Sequence, residues 1–180
     1  MTVLAYDVYK DEKYEKEAGI RYVTLDELFK KSDIISLHCP LTPETEYIIN
    51  EDNMKKMKNG VMLINTGRGK LIDTRALIKM LKIEKVGFAG LDVYEEEEEY
   101  FFEDFSTEMI SDDVLARLMI FPNVLITSHQ GFFTAEAIHN IAVDTLGNIK
   151  EFFDGGYLKN EICYKCDLKE CLKDKKQRCF

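Results

Sequence analysis

The sequence predicts an α/β protein built on a doubly wound, mostly parallel sheet with helices on both faces. Three observations carry this reading. Six short apolar runs alternate with helical segments, the pattern of strands joined by helical crossovers. The run before Pro40 is apolar almost throughout, as buried parallel strands are. Polar or titratable residues follow the runs at once: Asp7, His38, Arg68, Asp92 and His129. That is the carboxyl edge, where open α/β sheets bind ligands.

The elements follow in order. "TVLAYD" reads as the first strand, and "KDEKYEKEAG" as a polar helix ending on Gly19. "IRYV" is the second strand. Thr24 then opens "TLDELFKKS" with Glu27 three residues on, a capping-box pattern. "DIISLHCP" is a strand stopped by Pro40, "NEDNMKKMKNG" a short helix closed by Gly60, and "VMLINTG" the next strand. Asp73 caps the helix "TRALIKMLKI". "KVGFAGLDV" is a glycine-containing strand, followed by a long aromatic loop over 98–122. "NVLITSH" is the last strand. A long helix starts near Thr134 and stops at Gly155-Gly156. There is no internal repeat and no low-complexity linker.

Bulk composition narrows the function. With 180 residues, 46% of them hydrophobic, the chain can bury one core. A net charge of −9 without a basic stripe argues against nucleic acid. No apolar run approaches the roughly 18 residues of a membrane span, and the start lacks a signal-peptide pattern. A cytoplasmic protein that engages no membrane is the expectation.

The residues past the strands carry the chemistry. Asp7 can accept hydrogen bonds from a ribose or simply cap a helix. His129 can exchange a proton near neutral pH or be a satisfied histidine at a strand end. Arg68, between Gly67 and Gly69, is either a solvated turn residue or an anion clamp. His38 reads as packed. Its neighbour Cys39 points to the opposite strand face, which argues against a couple between them. His139, inside the last helix, reads as structural. The glutamates at 95–99 read as a solvated face, of which one member could pair with a catalytic imidazole.

The chain carries the motifs "INTGRGKLIDTRAL", "GFAGLDVYEEE" and "PNVLITSHQGFFT", with "VLAYDVYKD" and "DIISLHCPLTPET" before them. Residues 1 to about 160 resemble the D-isomer-specific 2-hydroxyacid dehydrogenases, most closely their D-lactate dehydrogenase branch. The resemblance implies an NAD-dependent oxidoreductase that interconverts a small 2-oxo acid, pyruvate first, and its D-2-hydroxy acid. It implies Arg68 as the carboxylate clamp, with the flanking Gly67 and Gly69 allowing close backbone approach to cofactor and substrate, His129 as the acid/base and Glu97 as its partner. It further implies that Asp7, Cys39, Pro40, Thr45, Thr66, Gly67, Arg68 and Asp92 contact the cofactor. The aspartate at position 7 points to NAD rather than NADP. A homodimer is implied for the full-length family form. The alternatives are a branched or aromatic 2-oxo acid, or a non-catalytic fragment that binds a partner.

The chain departs from the family pattern in one large respect. No G-x-G-x-x-G occurs in it, and Met1 aligns with the interior of a Rossmann-like domain. The chain is therefore expected to be a C-terminal fragment whose sheet lacks its first strand and which is inactive alone. Residues 1–133 are expected to form a partial NAD-binding domain. Residues 134–159 form a helix that packs on the missing substrate domain, with its apolar face (Ile138, Ile141, Ala142, Leu146, Ile149) exposed here. Residues 160–180 form a Cys/Lys-rich tail. Cys163, Cys166, Cys171 and Cys179 there read as a reduced tail, with a four-thiolate metal site or a redox disulfide as alternatives. No resident metal is expected.

Overall fold

A computed structural model describes residues 1–101, 110–155 and 158–162, without the side chain of Glu99. It divides into two units, Met1–Gly131 and Phe132–Phe180. The cysteine tail from Cys163 onward and Gly156 lie outside the described residues.

Among its described residues the first unit holds six parallel strands in two sheets. β1 (Leu4–Ala5) pairs with β2 (Arg21–Tyr22). β3 (Ile34–Leu37), β4 (Val61–Asn65), β5 (Val86–Leu91) and β6 (Val124–Ile126) form a second sheet in that order. The six apolar runs are thus all strands, though shorter than the quoted segments, because only the central residues of each find a hydrogen-bonded neighbour.

Helix starts follow the expected chemistry. Asp11 caps α1 (Glu12–Ala18), which closes on the left-handed Gly19. Thr24 Oγ1 accepts from the Glu27 amide at the start of α2 (Leu25–Lys31). Asn50 caps α3 (Glu51–Lys56), and Asp73 caps α4 (Thr74–Lys82). A short helix, α5 (Glu97–Tyr100), follows β5. The 98–122 segment is not a loop throughout. Asp112 caps α6 (Asp113–Ile120), which buries Leu115 and Leu118. The aspartate followed by apolar 114, 115 and 118 was a helix signal, masked by the aromatic stretch before it.

The core lies on one side of the larger sheet. Ile35, Leu37, Leu63, Ala89 and Leu91 pack there with Phe29, Met54, Leu77 and Leu118 from the helices. In that layer α2 touches α3, α3 and α6 touch α4, and α4 and α6 lie on β5 and β6. The opposite sheet face leaves Ile34 54%, Phe88 54% and Leu125 65% exposed. Helical cover on that face, expected from the apolar strands, is therefore not seen for these three residues.

The second unit contains α7 (Ala135–Phe153), capped by Thr134 through the Ala137 amide. None of its residues is buried. Ile138, Ile141, Leu146 and Ile149 are exposed, as expected for its apolar face. Among the described residues no helix is long and apolar enough to cross a membrane.

Candidate active site

The carboxyl ends of β3 to β6 are level. Leu37, Asn65, Leu91 and Ile126 stand in one register row across the sheet. The residues that follow them therefore emerge at one edge, among them Cys39, Thr66, Arg68, Asp92 and His129. Asp7 leaves β1 close enough for its charge to act on Cys39, so the smaller sheet contributes to the same edge.

Asn65 shapes the loop that carries Arg68. It is 1% exposed, because it continues the inward phase of Val61 and Leu63. Its Oδ1 accepts from the Gly67 amide at 3.1 Å, and its Nδ2 donates to the Arg68 carbonyl at 2.9 Å. The Arg68 side chain is exposed, with Nη1 donating to the Gly67 carbonyl at 2.8 Å. Gly69 is fixed by packing. A Cβ there would lie 2.1 Å from the Tyr94 carbonyl carbon and oxygen and 2.5 Å from the Glu95 nitrogen. Sequence reasoning assigned both flanking glycines to the approach of cofactor and substrate. For Gly69 the close neighbour is the Tyr94–Glu95 backbone.

His129 sits on a strained turn. Ser128 and His129 have φ of 50° and 58°, a left-handed conformation that costs a non-glycine residue on the order of 1 kcal/mol or more. Asp92 holds it. The His129 amide donates to the Asp92 carbonyl at 2.6 Å. Asp92 Oδ1 accepts from the Gln130 and Gly131 amides, each at 2.9 Å, and from the Thr127 hydroxyl.

Glu97 lies within reach of His129. Its Oε2 is 3.4 Å from His129 Nδ1, long for a hydrogen bond but within the range of catalytic pairs before ligand binding. The Tyr94 amide donates to the same oxygen at 3.2 Å. Glu96 and Glu98 on either side are exposed, as a solvated face requires. Glu95 does something else. Its Oε2 accepts from the Tyr47 hydroxyl at 2.9 Å and its Oε1 from the Thr74 amide at 2.7 Å. The Tyr47 phenol is pushed up to about 12, mainly by that hydrogen bond. Burial, then the Asp112 hydrogen bond, raises the Tyr94 phenol well above its ordinary value.

Arg68 and Glu97 line one cleft of about 310 Å³, with Leu41, Lys70 and Tyr94. A larger cavity of about 500 Å³, lined by Tyr47, Arg75, Tyr94, Tyr100 and Asp112 among others, contains neither Arg68 nor Glu97. Size does not locate the chemistry here, so the smaller cleft is the candidate site.

Around the proposed cofactor positions, Asp7 Oδ1 accepts from the Tyr9 amide at 2.8 Å. Thr45 Oγ1 donates to the Pro40 carbonyl at 2.7 Å and accepts from the Thr42 amide. Burial, reinforced by the Asp7 charge, raises the Cys39 thiol above its ordinary value. Thr66 is exposed at the sheet edge. His38 is exposed rather than packed. Its Nε2 is 2.8 Å from Ser36 Oγ, two residues back on the same strand face. Cys39 instead packs against the core.

Residues 1–131 match the profile of the D-isomer specific 2-hydroxyacid dehydrogenase NAD binding domain. The chain belongs to this family. NAD is accordingly the cofactor of the matched domain. The D-lactate dehydrogenase of Escherichia coli strain K12 is 49% identical over 162 residues, covering 90% of this chain and 49% of that protein. The aromatic 2-oxoacid reductase of Clostridium sporogenes is 45% identical over 162 residues, covering 89% of this chain and 48% of that protein. The crystal structure of Lactobacillus jensenii D-lactate dehydrogenase with NAD+ superposes with a TM-score of 0.80 at 34% identity. It covers 90% of this chain and 48% of that one. The chain spans about half the length of the curated relatives it matches.

Sequence reasoning missed Asn65, Glu95 and Tyr47. Asn65 had a signal, a polar residue on the inward phase of an apolar strand. The two others meet across 48 residues, and nothing local announces such a contact.

Proposed function

We propose that this chain carries the cofactor-binding and catalytic half of an NAD-dependent dehydrogenase that interconverts pyruvate and D-lactate. One observation carries the proposal: Arg68 and Glu97 line the same cleft, and the Glu97 carboxylate reaches the His129 ring. Arg68 offers a planar fork of donors to the 2-oxo acid's carboxylate. His129 delivers a proton to the carbonyl oxygen during reduction and takes it back during oxidation. Glu97 orients the imidazole and stabilises its cationic form. NADH, when bound, supplies the hydride. Asp7 is suited to the ribose hydroxyls, and Cys39, Pro40, Thr45, Thr66, Gly67 and Asp92 to the remaining cofactor contacts. The exposed Asp7 carboxylate and the open sheet edge at Thr66 fit those parts of NAD. These 180 residues contain no G-x-G-x-x-G, the motif that cradles a pyrophosphate.

The same reading takes residues 1–133 as NAD-binding and 134–159 as a helix that packs on a substrate domain. The exposed apolar side chains of α7 support the latter. A cytoplasmic homodimer belongs to it too, and light scattering tests the assembly. A larger, aromatic 2-oxo acid is the second reading, favoured by the Clostridium sporogenes relative. The test is a chimera with this chain in place of the matching half of the Escherichia coli enzyme. Pyruvate should exceed phenylpyruvate in kcat/KM. The reverse order selects the aromatic substrate, and turnover of neither refutes both.

A further inference from the structure

We propose that Asn65 is a positioning residue that holds the Arg68 loop in register with the His129 turn. The proposal rests on the functional reading above and names what sets the distance between its clamp and its proton donor. A continuous hydrogen-bonded path joins the two. The Arg68 carbonyl accepts from Asn65 Nδ2 at 2.9 Å. The Asn65 carbonyl accepts from the Asp92 amide at 2.9 Å, and the Asp92 carbonyl accepts from the His129 amide at 2.6 Å. Asn65 Oδ1 meanwhile takes the Gly67 amide at 3.1 Å.

The residue type matters. A buried amide must satisfy both its donor and its acceptor, and here both are spent on the backbone of one loop. Aspartate would keep the acceptor for Gly67 and lose the donor to Arg68. Alanine would lose both. Arg68 needs such support because its side chain is exposed and its one hydrogen bond among the described residues is to Gly67 in its own loop. The direction of the guanidinium is therefore set by the loop backbone, and the loop backbone by Asn65. Groups that act together must be held to a fraction of an ångström, and a buried side chain on a rigid strand end does this better than a loop contact.

The experiment uses the isotope-labelled 180-residue chain with Asn65→Asp and Asn65→Ala variants. Amide hydrogen exchange at Gly67 should accelerate roughly tenfold in Asn65→Ala, the factor for losing one buried hydrogen bond. It should stay near the parent value in Asn65→Asp, while the Arg68 side-chain resonance moves in both. The second readout is titration of the chimera described above, with and without the Asn65 substitutions, using oxamate, an analogue of a 2-oxo acid, in the presence of NADH. In the parent, oxamate should perturb Arg68 and His129 together, and Asn65→Ala should weaken that binding roughly tenfold. Unchanged Gly67 exchange and an unmoved Arg68 resonance in Asn65→Ala overturn the proposal. So does oxamate binding that is unaffected in both variants. If the parent itself ignores oxamate, the functional reading fails, and the exchange data still decide the role of Asn65.

Discussion

His129 Nδ1 lies 3.4 Å from Glu97 Oε2, although 32 residues separate the two in sequence. Among the described side chains of the 95–99 run, it is Glu97 that reaches the ring. Glu97→Gln keeps the shape and replaces the carboxylate beside the ring with a neutral amide. The kcat for 2-oxo acid reduction should therefore fall by roughly tenfold, as for loss of one hydrogen bond to a charged group. Glu96→Gln and Glu98→Gln should leave it near the parent value. A fall caused by either neighbour, with none from Glu97, would place the partner elsewhere.

Arg68→Lys retains the charge and loses the fork. The expected defect is a fall in kcat/KM on the order of 10², as for loss of a transition-state donor. Steady-state kinetics in the chimera measure it. Parent values of both KM and kcat would reduce Arg68 to a solvated turn residue.

Gly69→Ala drives a methyl group into the Tyr94–Glu95 backbone, where contacts of 2.1 Å leave no room. Overpacking costs about 1–3 kcal/mol, so thermal unfolding should shift down by about 5 °C. A midpoint within about 1 °C of the parent would show that the two segments part easily.

Tyr47 gives a pH test. Its phenol has an ordinary value of 10.0 and is raised to about 12 by the Glu95 carboxylate. A folded value above the unfolded one means stabilisation that is fully present below pH 10 and lost as pH rises through about 12. Phenolate absorbance should show Tyr47 titrating late, and Glu95→Gln should move it back toward 10.0. An unchanged titration in that variant would remove Glu95 as the cause.

Much of this was legible in the sequence because strand ends announce themselves. Apolar runs gave the six strands, and Thr24 and Asp73 mark helix starts by a local rule, whereas the first helix is capped by Asp11 and not by Asp7. That Cys39, Thr66, Arg68, Asp92 and His129 share one sheet edge was legible, since each comes soon after a strand end. The wiring among them was not. Gly69 was attributed to ligand approach because a sequence cannot show that Tyr94 lies against it. Asp92 was read as a cofactor contact, and its carboxylate turns out to hold the Thr127–Gly131 turn. The open face at Ile34, Phe88 and Leu125 was hidden for a related reason. Apolar composition says that a strand face is suited to burial, and says nothing of whether a partner is within reach.

The central claim is that His129 moves the proton in reduction of pyruvate to D-lactate. The most direct measurement is the D-lactate formed from pyruvate and NADH by the chimera, with and without His129→Gln. The account predicts D-lactate as product and a loss on the order of 10²–10⁴ in the variant. A chimera that binds NADH but forms no D-lactate, or a variant that keeps the parent rate, would contradict it.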